Sequence, residues 1–252
     1  MLDYNQKIPE FLKQTAYCDS NSPAIEKTAV FLTKDYSDQR QKAVALFSYV
    51  RDSVLYTFDY WNIKASETLE KKTGMCTNKN NLLIALLRAI NIPAGYGILK
   101  VKGKEYFGPL MLPTFKKLVS ESSVHIYSLV NFDNKWIKCD VSPDKEISKK
   151  TSHLSPTSRL IEWNGIDDAM EYFNPKHIIE DISPISNIDT KLDKKPDAFN
   201  KTKMKLGNLY LKFLRNGNNN FKSISDVEKE FKKWLRKESK FFYSYYSFRS
   251  IF

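Results

Sequence analysis

With 252 residues, 42% hydrophobic, 27% charged and 13% aromatic, the chain has a globular composition and enough length to bury a core without disulfide or metal support. Its longest apolar run, Leu82 to Leu87, is far short of the ~20 residues of a membrane span, and eight glycines with no Gly-rich strand-to-helix turn argue against a Rossmann or P-loop nucleotide site. The formal charge is +11, but lysine is spread along the chain and no recognition motif accompanies it, so the excess reads as solvated surface and nucleic acid is disfavoured as a partner.

Ser22 and Pro23 form a cap and first-turn pair for a helix over 22–34, in which Ile25, Ala29 and Leu32 recur at helical spacing. A second helix is predicted at 38–55, where Ala43, Leu46, Phe47, Val50 and Val54 make one apolar stripe. Residues 56–75 read as a loop with a short helix capped by Ser66. The segment 77–90 has almost no polar face from Leu82 onward, which marks a helix buried at the centre of a domain. Asn91-Ile92-Pro93 ends it, because proline cannot continue the ladder.

A strand follows from Gly95 to Val101, then a surface excursion over 103–122. Val124–Phe132 and Trp136–Val141 read as a hairpin around Asp133-Asn134. Beyond about residue 150 the pattern weakens. Residues 186–205, rich in lysine and holding Pro196, read as a solvated linker. A last helix is predicted at 226–240, with Ser225 and Glu228 at capping-box spacing and Val227, Phe231, Trp234 and Leu235 as its stripe. Seven aromatics between Phe241 and Phe252 either pack on the domain, the favoured reading, or bind a protein partner. The expected organisation is a main domain over 1–185 and, over 186–252, a basic linker with a helical, aromatic-rich appendage.

The cysteines are Cys18, Cys76 and Cys139, an odd number at spacings that fit neither a disulfide framework nor a zinc site. Cys76 stands where the buried helix begins. The helix dipole and the unpaired N–H groups of the first turn favour thiolate there, against the plainer reading of a small core residue. A thiolate nucleophile needs a base, and the base an orienting acceptor. If the hairpin loop is even and centred on Asp133 and Asn134, paired positions sum to 267. His125 then faces Ser142, and Asp140, two residues away, shares its face as a diagonal neighbour about 7–8 Å off at the backbone. An odd loop would separate them. His153 and His177 have no acidic partner at strand spacing, and Cys139, adjacent to Asp140, points to the opposite face and into the core.

These residues resemble the transglutaminase-like superfamily, whose papain-like fold carries a Cys-His-Asp triad. The matching segments are Ala43–Asp52 with Tyr56 after it, Ala65–Leu69, Gly74-Met75-Cys76, Leu86–Ala94, Val124–Val130 and Lys135–Asp140. The resemblance covers about 15–145 and is faint over 160–185. It implies an α+β fold, with N-terminal helices and a central buried helix packed on an antiparallel sheet. It also implies Cys76 as nucleophile, His125 as general base and then acid, and Asp140 as the group that fixes the imidazole. Two departures are Thr77-Asn78, where members often have a small residue and an aromatic, and Gly95, where many carry arginine.

The expected activity is acyl transfer through a thioester on a peptide or protein amide, with hydrolysis favoured because the chain has no room for the β-domains of animal transglutaminases. The Cys76 N–H would supply one oxyanion donor; Tyr56, Trp61 and Asn78 are the candidates for the second. Two alternatives are an amine acyltransferase, of the transglutaminase or arylamine N-acetyltransferase kind (the latter's Arg-Gly-Gly run before the cysteine is missing), and a non-enzymatic interaction domain on the same fold. No cofactor, metal or membrane is expected. The opening residues lack the apolar core of a secretory leader, and the expected compartment is the cytoplasm, where thiols stay reduced.

Overall fold

The computed structural model describes residues 4–107, 111–116, 119–154, 159–171, 174–193, 201–216 and 221–249. A 3-10 stretch, Tyr4–Leu12, precedes helices α1 (Pro23–Thr33) and α2 (Gln39–Ser53). Asp38 caps α2 by accepting from the Gln41 N–H at 2.9 Å. Next come β1 (Leu55–Tyr56), α3 (Ala65–Lys71), β2 (Thr73–Gly74) and α4 (Cys76–Ala89). The two short strands pair in parallel with Tyr56 opposite Gly74, which carries Tyr56 to the start of α4. Helix α3 begins one residue before the expected Ser66 cap. Its capping carboxylate comes from Asp19, which accepts from the Ser66 N–H at 3.1 Å and the Ser66 hydroxyl at 2.5 Å.

The rest runs β3 (Ala94–Lys102), α5 (Gly103–Tyr106), α6 (Pro113–Lys116), β4 (Ser122–Phe132), β5 (Lys135–Cys139), α7 (Lys145–Thr151), β6 (Ile178–Ile185), α8 (Asp189–Asp193), α9 (Lys201–Asn216), α10 (Ile224–Glu238) and α11 (Lys240–Arg249). The main sheet is antiparallel in the order β5-β4-β3-β6. Helix α4 lies between β3 and β4 on one side and α1, α2 and α3 on the other, and Leu82 to Leu87 are all buried. This is the α+β arrangement expected. The β4–β5 hairpin pairs Ser128 with Cys139 through Phe132 with Lys135, every pair on the predicted register. Its turn residues Asp133 and Asn134 have φ of 54° and 64°, the left-handed geometry that Asx residues tolerate and a two-residue hairpin loop requires.

Arg88 and Lys79 show how the buried helix handles its cations. The Arg88 guanidinium donates to the carbonyls of Lys13, Ala94 and Ser186 at 2.6–3.1 Å, so the N-terminal segment, β3 and the segment after β6 share one anchor. The Lys79 ammonium donates to the Val54 carbonyl at 2.7 Å and lies 3.4 Å from that of Arg51, closing the C-terminal end of α2. Burial brings its pKa down to about 7, against the pull of Asp144 and Asp140.

Four expectations are corrected. The 103–122 excursion is not wholly superficial. Tyr106, Leu112 and Phe115 are buried, and the last two join Leu206, Tyr210, Phe231 and Tyr246 in a second core. The 186–205 segment is not all linker: Ile188 and Leu192 enter the main core and α9 starts at Lys201, while 194–200 lie outside the described residues. Helix α10 is capped by Ser223, which accepts from the Asp226 N–H at 3.2 Å, two residues before the expected Ser225. Strand β6 carries no alternation in sequence and was not predicted; it pairs with β3 through two register irregularities. In the aromatic tail, Tyr246 packs fully and Phe241 stays exposed, with 250–252 outside the described residues.

Gly97 pairs with Tyr127 across β3 and β4, and the tyrosine ring lies over it. A Cβ at Gly97 would stand 2.0 Å from Tyr127 Cζ. Gly97→Ala should therefore destabilise the fold by about 1–3 kcal/mol. In a Tyr127→Leu background the penalty should shrink, and a double-mutant cycle followed by denaturant unfolding would show equal penalties if the contact is not the cause.

Candidate active site

The site forms where strand pairing stops. β5 pairs with β4 only from Ser128 to Phe132, so residues 122–127 of β4 run on past it. The start of α4 fills that edge. The Ile126 N–H bonds the Cys76 sulfur, and the Ile126 carbonyl accepts from the Asn80 amide at 3.0 Å. Met75 precedes the helix, and its N–H is bonded by Asn78 Oδ1 at 3.0 Å. The first backbone bond of α4 runs from Lys79 N–H to Met75 C=O, so the N–H groups of residues 76–78 precede the helical ladder.

The structure brings together Cys76, His125 and Asp140. His125 Nε2 lies 2.7 Å from Asp140 Oδ2, and both side chains are almost fully buried. The imidazole also bonds the Cys76 thiol, a contact that falls to Nδ1 because Nε2 is engaged. Asp140 Oδ1 accepts from the Ser142 N–H at 2.9 Å and from the Asn80 amide at 3.2 Å. Asn80 is held in turn by the Ser128 hydroxyl, which donates to Asn80 Oδ1 at 2.8 Å.

These contacts fix the charges. Burial pushes the Cys76 thiol up, but the His125 hydrogen bond and charge and the Ile126 amide outweigh it, and the net shift is downward. Burial works against the imidazolium too, yet the charge and hydrogen bond of Asp140 hold His125 well above its ordinary value. Asp140 is depressed: desolvation opposes ionisation, while His125 and Ser142 favour it more strongly. All three shifts point to a thiolate, an imidazolium and a carboxylate in contact.

Residues 26–141 match the family model of the transglutaminase-like superfamily. This segment belongs to that superfamily. Two solved structures are also similar. One, a candidate cysteine protease from Cytophaga hutchinsonii, is 22% identical with a TM-score of 0.44, over 56% of this chain and 44% of its own. The other, a candidate protease from Parabacteroides distasonis, is 16% identical with a TM-score of 0.36, over 54% of this chain and 26% of its own. The chain thus spans less than half the length of either. No curated protein matches it.

Around the transglutaminase-like core, several sequence expectations find a physical place. Cys139 is buried in the main core, and burial raises its thiol. Cys18 is likewise buried and raised. His153 bonds the Phe221 carbonyl at 2.9 Å, and His177 sits in a short 3-10 turn. Asn78 is engaged at the helix start: its Oδ1 takes the Met75 N–H and its amide donates to the Tyr60 carbonyl at 2.9 Å. Gly95 lies away from the triad: a Cβ there would meet the Phe11 ring at 2.8 Å and the Ile185 carbonyl at 2.9 Å.

Three site residues escaped sequence reasoning. Asn80 is one helical turn after Cys76, and a polar residue at i+4 from a candidate nucleophile was the available signal. Tyr106, from the excursion, has its ring 5.7 Å from that of His125. Glu171 brings a carboxylate to within 4.8 Å of a His125 ring nitrogen and an Asp140 oxygen. These three also form a group that could ligate a cation, although His125 and Asp140 are already spent on each other at 2.7 Å. Burial, with Asp140 and Cys76 adding to it and His125 opposing, brings the pKa of Glu171 up to about 8.

The sign of that shift sets a stability slope. Between the ordinary value of 4.5 and about 8, the folded chain keeps a proton that the unfolded chain has released. Stability therefore falls as pH rises through this window. Glu171→Gln should remove that slope. The variant should melt with the native protein at pH 4 and above it at pH 8.5, by ~3 °C or more. Parallel melting curves at the two pH values would contradict the assignment.

Proposed function

We propose that the protein is a cysteine-nucleophile enzyme that cleaves an amide through a thioester intermediate. One observation carries this reading: a buried imidazole bonded on one side to a thiol at a helix start and on the other to a carboxylate at 2.7 Å. The Cys76 thiolate attacks the amide carbonyl, and the carbonyl oxygen becomes an oxyanion. The Cys76 N–H, at the open end of α4, supports that charge. Tyr56, which faces Cys76 and is kept neutral by burial and by the charges of Cys76, Glu171 and Asp140, is the better placed second donor. His125 protonates the departing amine as the C–N bond breaks. Water, giving up its proton to His125, then attacks the thioester, and the thiolate leaves. Asp140 keeps Nδ1 of the imidazole facing sulfur throughout. Asn80 holds Asp140 and Cys76 from the same helix.

The test of the nucleophile is a rate of thiol alkylation against pH, read on the Cys76 peptide by mass. Rapid labelling should persist below pH 7 in the native protein. In His125→Ala the thiol loses its counter-charge but stays buried, so the rate at pH 6 should fall by about 100-fold or more. Equal rates in the two proteins would remove the thiolate–imidazolium pair and the mechanism with it.

Hydrolysis and transfer differ only in what attacks the thioester. With a glutamine peptide and a labelled primary amine, a hydrolase should release ammonia without incorporating the label. Acid quenching should trap an acyl group on Cys76 in either case. Incorporation of the amine would replace hydrolysis by transfer. Absence of both the adduct and ammonia for any peptide in a cell extract would favour a non-catalytic role.

A further inference from the structure

We propose that Glu171 makes this site select substrates that carry a cationic nitrogen beside the amide that Cys76 attacks. The proposal rests on the reading of Cys76 as the nucleophile and adds the substrate class. Its ground is geometric. Beyond β5 the chain segment around Ala169 runs parallel to the end of the strand: Asp140 N–H bonds the Ala169 carbonyl at 2.9 Å, and Ala169 N–H bonds the Lys138 carbonyl at 2.9 Å. Two residues later the same segment delivers Glu171 beside His125 and Asp140. Cys76, His125 and Asp140 are buried, whereas Glu171 keeps part of its surface in contact with solvent. Of these four residues it is the one that is not fully buried.

Charge decides what that ligand is. With the thiolate, imidazolium and Asp140 carboxylate in place, the triad carries a net charge of −1, and ionised Glu171 makes it −2. Among the described residues, the other titratable groups that feel Glu171 are Tyr56 and Tyr106, both held neutral by burial and by the surrounding negative charge. Lys79, which feels Asp140, does not register at Glu171, and its ammonium is tied to the carbonyls that close α2. A cation on the substrate is therefore the missing counter-charge. An anionic group would meet two carboxylates and a thiolate in a dry site, where like charges repel strongly. Since Glu171 holds its proton up to about pH 8, an arriving cation displaces that proton. Preference for the cation should strengthen as pH rises through this value.

Three methanethiosulfonate reagents of similar size read the preference without knowledge of the natural substrate: 2-(trimethylammonium)ethyl, the neutral 3,3-dimethylbutyl and 2-sulfonatoethyl. The fixed charges leave any pH dependence of the ratio to the protein. Rates of Cys76 modification would be measured at pH 6.5 and 8.5 on the native protein and on Glu171→Gln, each divided by the rate with free cysteine. The native protein at pH 8.5 should favour the cationic over the neutral reagent by about tenfold, with the anion slowest. The ratio should shrink at pH 6.5, and in Glu171→Gln it should be small and independent of pH. If the neutral reagent labels Cys76 rapidly but the cation-to-neutral ratio is the same in both proteins, the selectivity is refuted while the nucleophile stands. If no reagent labels Cys76 faster than an ordinary buried thiol, both are refuted.

Discussion

The arrangement depends on an unfinished strand edge. A strand that outruns its neighbour exposes backbone N–H and C=O groups, which water or another chain normally satisfies. Here the first turn of α4 takes that place, and Ile126 gives its N–H to sulfur and its carbonyl to the Asn80 amide. A neutral thiol is a poor acceptor for a buried N–H; a thiolate is a good one. The strand edge thus aims a donor at the sulfur of the residue that opens the helix. The same demand explains why Thr77 to Asn81, five polar residues, are buried at the head of an otherwise apolar helix. Four of them, Asn78 to Asn81, bond backbone groups around the helix start.

Burying a thiolate, an imidazolium and a carboxylate costs several kcal/mol per ion unless each is paired and fully bonded. The triad meets that condition unevenly. Asp140 is the best supported, with His125, Ser142 and Asn80 all bonded to it. His125 bonds both Asp140 and the Cys76 thiol. Glu171 stands apart, pressed against like charge with only His125 to relieve it. Its desolvation persists because its segment is held by backbone bonds to Lys138 and Asp140. A carboxyl group held so is destabilised as the carboxylate, and any cation brought beside it would relieve that cost.

Support also comes from far along the chain. Asp144 accepts from the Tyr56 N–H at 2.8 Å and from the Arg215 guanidinium at 2.6 Å, and Arg215 also donates to the Tyr56 carbonyl. On the other side of the same loop, Asn208 bonds both the N–H and the carbonyl of Phe58, at 2.8 and 3.0 Å. Gly207 lets the Phe58 ring approach, since a Cβ there would stand 2.6 Å from it. Residues 56–58 are therefore clamped between β2 and α9. Helix α9 thus fixes the backbone that carries Tyr56.

What could be read in the sequence follows from how local each cause is. The triad was legible because three local signals converge on it: a cysteine at the start of an apolar helix, a histidine on a strand, and a hairpin turn short enough to fix register. Once Asp133 and Asn134 set the loop, the alternation of side chains put His125 and Asp140 on one face without further information. Glu171 had no such route. Its position depends on a single parallel bridge between Cys139 and Ala169, a contact with no periodic signature, in a segment that carries neither a helical nor a strand pattern. Arg215 and Asn208 were hidden for a related reason. Their partners lie 71 and 150 residues away, and a lysine-rich stretch looks solvated whether or not its apolar stripe finds a neighbour. The packing of Leu112 and Phe115 against α9 and α10, with α7 and the Phe58 ring also against α9, supplies that neighbour.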